Sequence, residues 1–530
     1  MPADSNASPN LIFDGDAVQG QRCASEVTAV DGGVFKPQLL ILMLIRMTES
    51  LASSSIQLQH FDPSAPPATI SARAGIMIGA KTAAHVCTGL IWGRLADWEY
   101  CGRKAVIVFG LMASSISILG YGFSQTFVMA LTCQILDGAL NSTVSMTRCV
   151  IAELNPQKRH RARALTLLPL FTNTGHLIGP LIGGFLVSPD KQHNTRSFVS
   201  KFPYAAPNIV IAAFHAILAL AAIVVVKETL PTQHSHLGSL RRAWARLGPR
   251  GLSDRTVREE VVDESSRLLG HQHAETPALS ESVASPETAK PATLRFSQIW
   301  TFNVVATMAV YFLFHGHSGA FPSLWAIFLS TPVSSTRQQK LSFRLYGGLG
   351  MNPRGVGTVM SMQGAISVIT QVLLYPTLND WLGTIRLFRT GLLAFPVTYF
   401  IAPFPALVSF YATNQPSNTS RYAITEPCVW VSVAFVLLLY VCGRTGVAPA
   451  TTLLINDSTP HPSVRATIHT TATIVSSLSR SIFPPIALGM FGHGLRIGFV
   501  ELGFWFLSGV ATLACLASMW VVEGDNGIEG

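Results

Sequence analysis

Charge is what this chain has least of. Only 12% of its 530 residues are Asp, Glu, Lys or Arg, against about 25% in a soluble domain. With a mean hydropathy of +0.39, that scarcity excludes an ordinary water-soluble globule and predicts a polytopic membrane protein. Paired cysteines are also missing. The eight Cys are scattered, mostly inside apolar blocks, without a C-x-x-C, so free thiols are expected in place of a disulfide framework. HExxH, GxSxG, Walker and Rossmann patterns are absent, which argues against an enzyme, a cofactor and ATP-driven work. Residues 1–36 lack a signal-peptide pattern, so the first span is expected to act as the insertion signal. The apolar blocks do not alternate, which sets aside a barrel and leaves an all-α helical bundle in lipid.

The blocks that are present recur at 37–59, 71–95, 105–123, 127–152, 163–187 and 205–226. They recur again at 298–329, 355–378, 386–410, 428–455, 464–490 and 499–522. This predicts twelve transmembrane helices as a six-helix bundle over 37–226 and another over 298–523. A cytosolic tail (1–36), a polar linker (227–297) and a short C-terminal tail (524–530) complete the chain. The linker is too polar to bury a core. An even number of spans puts both termini and the linker in the cytosol, and Gln157-Lys158-Arg159-His160-Arg161-Ala162-Arg163 then falls inside, as basic loops should. Arg337, Lys340, Arg344 and Arg354 run against that rule, falling outside. The net charge of +9 is read as topology, with no nucleic-acid partner. Two such halves suit a carrier that binds near the midplane and rocks one half against the other.

The most specific stretch lies between spans 2 and 3: Gly93-Arg94-Leu95-Ala96-Asp97-Trp98-Glu99-Tyr100-Cys101-Gly102-Arg103-Lys104. It resembles the G-x-L-x-D-x-x-G-R-K loop of the major facilitator superfamily, with two extra residues before the second Gly. Span 5 carries Gly175-His176-Leu177-Ile178-Gly179-Pro180-Leu181-Ile182-Gly183-Gly184, similar to the G-x-x-x-G-P-x-x-G-G segment of the drug:proton antiporter branch. Gly138-Ala139-Leu140-Asn141, Arg148, Glu153, Leu453 to Ser458 and Ser476 to Arg480 make the whole resemble the fungal and plant zinc-induced-facilitator-like group. The resemblance implies the major facilitator fold, a cavity lined by spans 1, 4, 7 and 10, and proton-coupled export of drugs or secondary metabolites. It also implies that Asp97 meets the start of span 11 near Ser463, holding the cytoplasmic side shut with Gly93, Gly102, Arg103 and Lys104. The branch carries an Arg at the place held here by Gln134, so the coupling ion is the point of departure.

Ionisable groups within spans are functional candidates. The first half offers Arg46, Glu49 and Asp137; Arg46 and Glu49 are three apart and share a helix face. The second half offers Arg444 and Arg480, with no acid at comparable depth. Glu49 or Asp137 is therefore read as the proton carrier, and Arg444 as a group that helps bind an anionic or acceptor-rich part of the substrate. The alternative for the acids is a structural salt bridge of Arg46 with Glu49 or Asp137. His315 joins Arg444 and Arg480 as a substrate-facing candidate. His315 and His317 diverge by about 200° on a helix, so no metal site is expected. Gly175, Gly179, Pro180, Gly183 and Gly184 are read as helix packing. Asn418-Thr419-Ser420 is a glycosylation acceptor in an outer loop. The expected partners are lipid, a small organic substrate and protons, with the chain a monomer in the plasma membrane. Glu264-Ser265-Ser266-Arg267-Leu268-Leu269 resembles a sorting signal, which leaves a vacuolar membrane open. Two rival functions stand beside export: a carrier of one physiological solute, such as an organic anion or metal complex, and a transporter-like sensor that moves nothing.

Overall fold

The computed structural model describes residues 37–49, 62, 65–98, 101–155, 158–187, 202–229, 300–333, 347–413, 427–458 and 465–522. These residues are almost wholly helical. In the first half the helices are α1 (Pro37–Glu49), α2 (Pro67–Asp97), α3 (Gly102–Gly122), α4 (Phe127–Leu140), α5 (Thr143–Leu154), α6 (Lys158–Leu186) and α7 (Ala205–Val225). In the second half they are α8 (Phe302–Ser330), α9 (Pro353–Ile369), α10 (Tyr375–Leu382), α11 (Thr384–Ile401), α12 (Pro405–Thr413), α13 (Pro427–Asp457), α14 (Arg465–Ile497) and α15 (Leu502–Ser518). Local chemistry sets several starts. Thr126 and Thr301 accept the Met129 and Val304 backbone N–H groups, and Asn352 accepts that of Gly355, each taking up a donor that the first turn leaves over. Pro67 and Pro353 enter where a missing N–H costs nothing.

The outer faces suit hydrocarbon. Ile116, Val224, Leu373 and Val431 are all more than 60% exposed, an apolar skin that a water-soluble protein avoids. Among the described residues, eight helical stretches are long and apolar enough to cross a membrane. Helices α2 and α6 fall short of that apolarity, and each is laid against the opposite half. α2 crosses to α14, and α6 crosses to α9. Within the first half α3 joins α4 and α7, and α1 joins α6. Within the second, α8 joins α14 and α15, and α11 joins α13 and α15.

The structure corrects several element boundaries. The fourth span is two helices, because Asn141 leaves the helix after α4 and its own Oδ1 takes the Thr143 N–H at 3.0 Å. Asn side chains compete for backbone groups in this way. The loop 157–163 is mostly the first turn and more of α6, which starts at Lys158. The eighth span carries a π-helical stretch, Thr370–Leu374, between α9 and α10, a wide turn that marks functional positions in many helices. The ninth span runs through Pro396 and then breaks at residues 402–404 before α12.

The halves meet most closely at one end. Ser71 Oγ donates to the Leu488 carbonyl at 2.7 Å. A Cβ on Gly75 would lie 3.0 Å from Pro485 Cα, and one on Gly79 would lie 2.5 Å from Pro485 Cγ. On the other side, a Cβ on Gly184 would lie 2.9 Å from the Pro353 carbonyl. One on Gly357 would lie 3.0 Å from Gly184 Cα and closer still to the Pro180 carbonyl. Small residues let backbones touch. Further along α2, a Cβ on Gly89 or Gly93 would meet nothing among the described residues within 4 Å. Among the described residues the halves thus touch at the end of residues 68–82 and part toward the end that carries Arg94.

Candidate functional site

Three groups of polar side chains stand out. The first is inside the first half. Asp137 on α4 is buried at 6% exposure. Its Oδ2 receives Lys81 Nζ from α2 at 2.5 Å, and its Oδ1 accepts from Ser114 Oγ of α3 at 2.5 Å. Asn141 Nδ2 donates to Ser114 Oγ at 2.8 Å, so the break in the fourth span also steadies the carboxylate. Lys81 can reach because Gly138 has no side chain: a Cβ there would run into the Lys81 carbonyl. Gln134, Ser117, Tyr121 and Asn208 share the small hollow that Lys81 and Asp137 line. Sequence reasoning missed Lys81. The signal was present, since a lysine in the middle of a long apolar stretch has to be explained. The pair that forms is Lys81 with Asp137, not the proposed bridge from Arg46 to Asp137.

The second group lies between the halves. Arg46 Nη2 donates to Thr172 Oγ1 of α6 at 3.4 Å. One residue on, Asn173 Nδ2 donates to Gln371 Oε1 in the π-helical stretch at 2.6 Å, and the neighbouring Thr370 meets Thr445 of α13 at 3.1 Å. This chain of contacts sets Arg46, His176 and Arg444 at one level. The charges of Arg46 and Arg444 act on His176, and those of Arg480, Arg148 and Arg444 act on His315. The stem of Arg480 lies over Gly319 of α8, where a Cβ would come within 2.9 Å of Arg480 Cγ. The Arg480 carbonyl accepts from Thr82 of α2 at 3.4 Å. Arg480 is exposed although its carbonyl and stem lie against α2 and α8, so its guanidinium faces space between them. His315 lies against Tyr311, ring centroids 4.2 Å apart. His317 points elsewhere, its Nδ1 2.9 Å from Tyr399 Oη in the aromatic core.

The third group caps the open end. Gly102 sits at φ 73°, left-handed backbone that glycine adopts freely. This turn aims the first N–H groups of α3 at Glu228, just past α7: those of Arg103 and Lys104 donate to its two oxygens at 3.0 and 2.9 Å. A carboxylate there complements the positive helix end. Arg103 Nη1 pairs with Glu153 Oε1 at the end of α5, and Glu153 Oε2 accepts from Thr229 Oγ1 at 2.6 Å. Lys104 Nζ donates to the Ile223 carbonyl at 2.6 Å. Glu228 was not among the sequence candidates; only its place at the end of a span hinted at it. Gly102→Ala is expected to cost about 1–2 kcal/mol, read as a lower unfolding temperature of the purified protein. Gly93→Ala, with nothing among the described residues within 4 Å of the added carbon, should not lower that temperature and should raise it slightly, since alanine favours a helix over glycine.

Gly175, Gly179, Pro180 and Gly184 are buried in α6, and Gly183 is partly so. Pro180 and Gly184 touch α9 directly, whereas a Cβ on Gly183 would meet nothing within 4 Å. The side chains of Glu49 and Asp97 lie outside the described residues. So do Ser463, Asn418, the segment 264–269, and Arg337, Lys340 and Arg344. Arg354 is exposed at the start of α9.

Comparisons with known proteins add to this geometry. The sequence model described as Major Facilitator Superfamily matches residues 39–348. The multidrug transporter mfsB of Aspergillus fumigatus is 26% identical over 522 residues, covering 92% of this chain and 84% of that one. The protein Zinc Induced Facilitator 1 of Arabidopsis thaliana is 26% identical, covering 68% of each chain. Among solved structures, a D-xylose-proton symporter superposes with a TM-score of 0.60 at 14% identity, covering 92% of this chain and 97% of that one. At that identity the likeness concerns the fold.

Proposed function

Since this chain belongs to the Major Facilitator Superfamily, a multi-pass membrane transporter of small organic molecules, we propose that it is an exporter driven by protons through alternating access. The Lys81–Asp137 pair carries this reading. A carboxylate held by an ammonium group within a span has two stable partners, the lysine and a proton, and can exchange one for the other. Protonation of Asp137 removes the charge that holds Lys81 against α4. Lys81 is 36% exposed and can turn toward water. Its neighbour Thr82 touches the Arg480 backbone of α14, so release of Lys81 loosens α2 where it holds the other half. The event at Asp137 is thereby tied to the contact that must open. Gln134 lines the same hollow without adding a cation, and Lys81 supplies the charge from the facing helix.

Basic residues at the open end, Arg94, Arg103 and Lys104, support the cytosolic side, which makes the described state inward-facing. Likeness to the Aspergillus multidrug transporter over most of the chain supports export. The test is transport by the purified protein in proteoliposomes with a dye panel and an internal pH indicator. An imposed pH gradient is expected to drive accumulation, with proton movement on substrate addition and loss of both under a protonophore. Counterflow that persists while the gradient has no effect would remove the proton from the mechanism. Binding without counterflow would point to a sensor.

A further inference from the structure

The opening between the halves is lined by cations from both. Arg444 and Arg480 stand on α13 and α14 of the second half, and Arg46 on α1 of the first, with His176 and His315 between them. The charges that act on His176, His315 and Arg480 include none from a described carboxylate. The described carboxylate of Asp137 is taken by Lys81 and Ser114. Among the described residues, no hydrogen bond or ion pair engages Arg444. Among the described residues, the Arg480 guanidinium bonds only within its own helix, to the Ser476 carbonyl at 3.2 Å and to Ser476 Oγ at 3.4 Å. A solute that enters therefore meets guanidinium groups with donors to spare in a fixed planar fork, the geometry that grips carboxylates.

We propose that the solute is an organic anion, its acid group held by Arg444 and Arg480 and closed over from the other half at Arg46 and His176. This deepens the exporter reading and rests on its central cavity. An aromatic body suits the site, because Tyr311, whose ring lies 4.2 Å from that of His315, offers an aromatic face near Arg480. A cationic or metal-ion cargo meets like charge at Arg444 and Arg480. Engagement of the acid by both halves also gives the substrate a differential hold on the closed state, which a change of conformation needs.

The experiment compares matched probes on the full-length protein in detergent: 1-naphthoic acid, 1-naphthamide and 1-naphthylmethylamine, with benzoic and decanoic acids and their amides and amines alongside. Binding is read by ligand-induced thermal stabilisation and by competition in counterflow. At least one acid is expected to bind ten-fold or more tightly than its amide and amine. Arg444→Gln and Arg480→Gln should each weaken the acid ten-fold or more without weakening the amide, and Arg444→Lys should recover part of the loss. Preference for the amine or amide, or for no acid in the panel, overturns the proposal, and so does an acid preference that survives both glutamine variants together. Binding needs no gradient, so a protein that prefers the acid and ignores protons removes only the coupling mechanism. One that couples to protons and prefers the amine removes only the anion site.

Discussion

Asp137→Asn is expected to abolish gradient-driven transport, by a factor of 100 or more, while leaving counterflow within a few-fold of the original. The substitution keeps the shape of the side chain and its place beside Ser114, and removes the group that can exchange a proton. Lys81 then loses its counter-charge. A broken buried pair costs about 3–5 kcal/mol when the remaining charge is wholly cut off from water, and less is expected here because Lys81 is 36% exposed. The folding cost and the coupling loss separate in the double variant. Lys81→Gln alone strands a carboxylate that is 6% exposed, and should destabilise more than Asp137→Asn. Lys81→Gln with Asp137→Asn leaves neither charge unpaired and should recover most of the stability, yet remain without gradient-driven transport. Initial rates at a fixed pH gradient and unfolding temperatures, taken on the same four preparations, decide the matter. If the double variant transports normally with a gradient, the pair is only structural.

Gly357→Val should have the second largest effect, at the sealed end. The added carbon would lie 3.0 Å from Gly184 Cα and nearer to the Pro180 carbonyl. Both neighbours are backbone atoms of α6, which cannot turn aside as a flexible side chain would. α6 and α9 must move apart by roughly 1 Å to restore an ordinary carbon–oxygen distance. Such overpacking costs about 1–3 kcal/mol, and it falls on the sealed state alone, because the other state parts these helices. A penalty of that size shifts a two-state balance by about 5- to 150-fold. Turnover is expected to fall at least ten-fold in a protein that is still folded. The position of the balance can be read from crosslinking between cysteines introduced as S71C and L488C, on helices that meet where the Ser71 hydroxyl donates to the Leu488 backbone carbonyl at 2.7 Å. The yield should drop in the valine variant. An unchanged yield would mean that the two helices tolerate the extra carbons without opening.

Much of the fold was legible from hydrophobicity. The charged loop after α2 was legible because charges there are dense between two apolar segments. The kink-prone and broken places were less so. The split after α4 depends on what Asn141 bonds to, and its partner Ser114 stands on another helix. The π-helical stretch Thr370–Leu374 has no glycine or proline to announce it; it is held in register by Thr445 and Asn173 from α13 and α6. Among the candidate residues, Asp137 was found by its charge, but its partner was sought in Arg46, which shares no helix contact that the sequence could reveal. Glu228 was passed over because a carboxylate at a span end looks like ordinary solvated surface until the start of α3 is seen above it.

By itself, the sequence determined that this protein lives in a bilayer as a bundle of helices, and which rare charges have to be explained there. The reason is one-dimensional: lipid rejects charge and bare backbone wherever in the chain they occur. The tertiary structure alone decided that Lys81 answers Asp137, that Glu228 caps α3, and that Arg46 and Arg444, from the two halves, both come near His176. Those relations join residues far apart in the chain. They depend on how closely helices approach, which bare backbone at Gly138, Gly184 and Gly357 controls, and ion pairs form only where that approach brings the groups within a few ångströms.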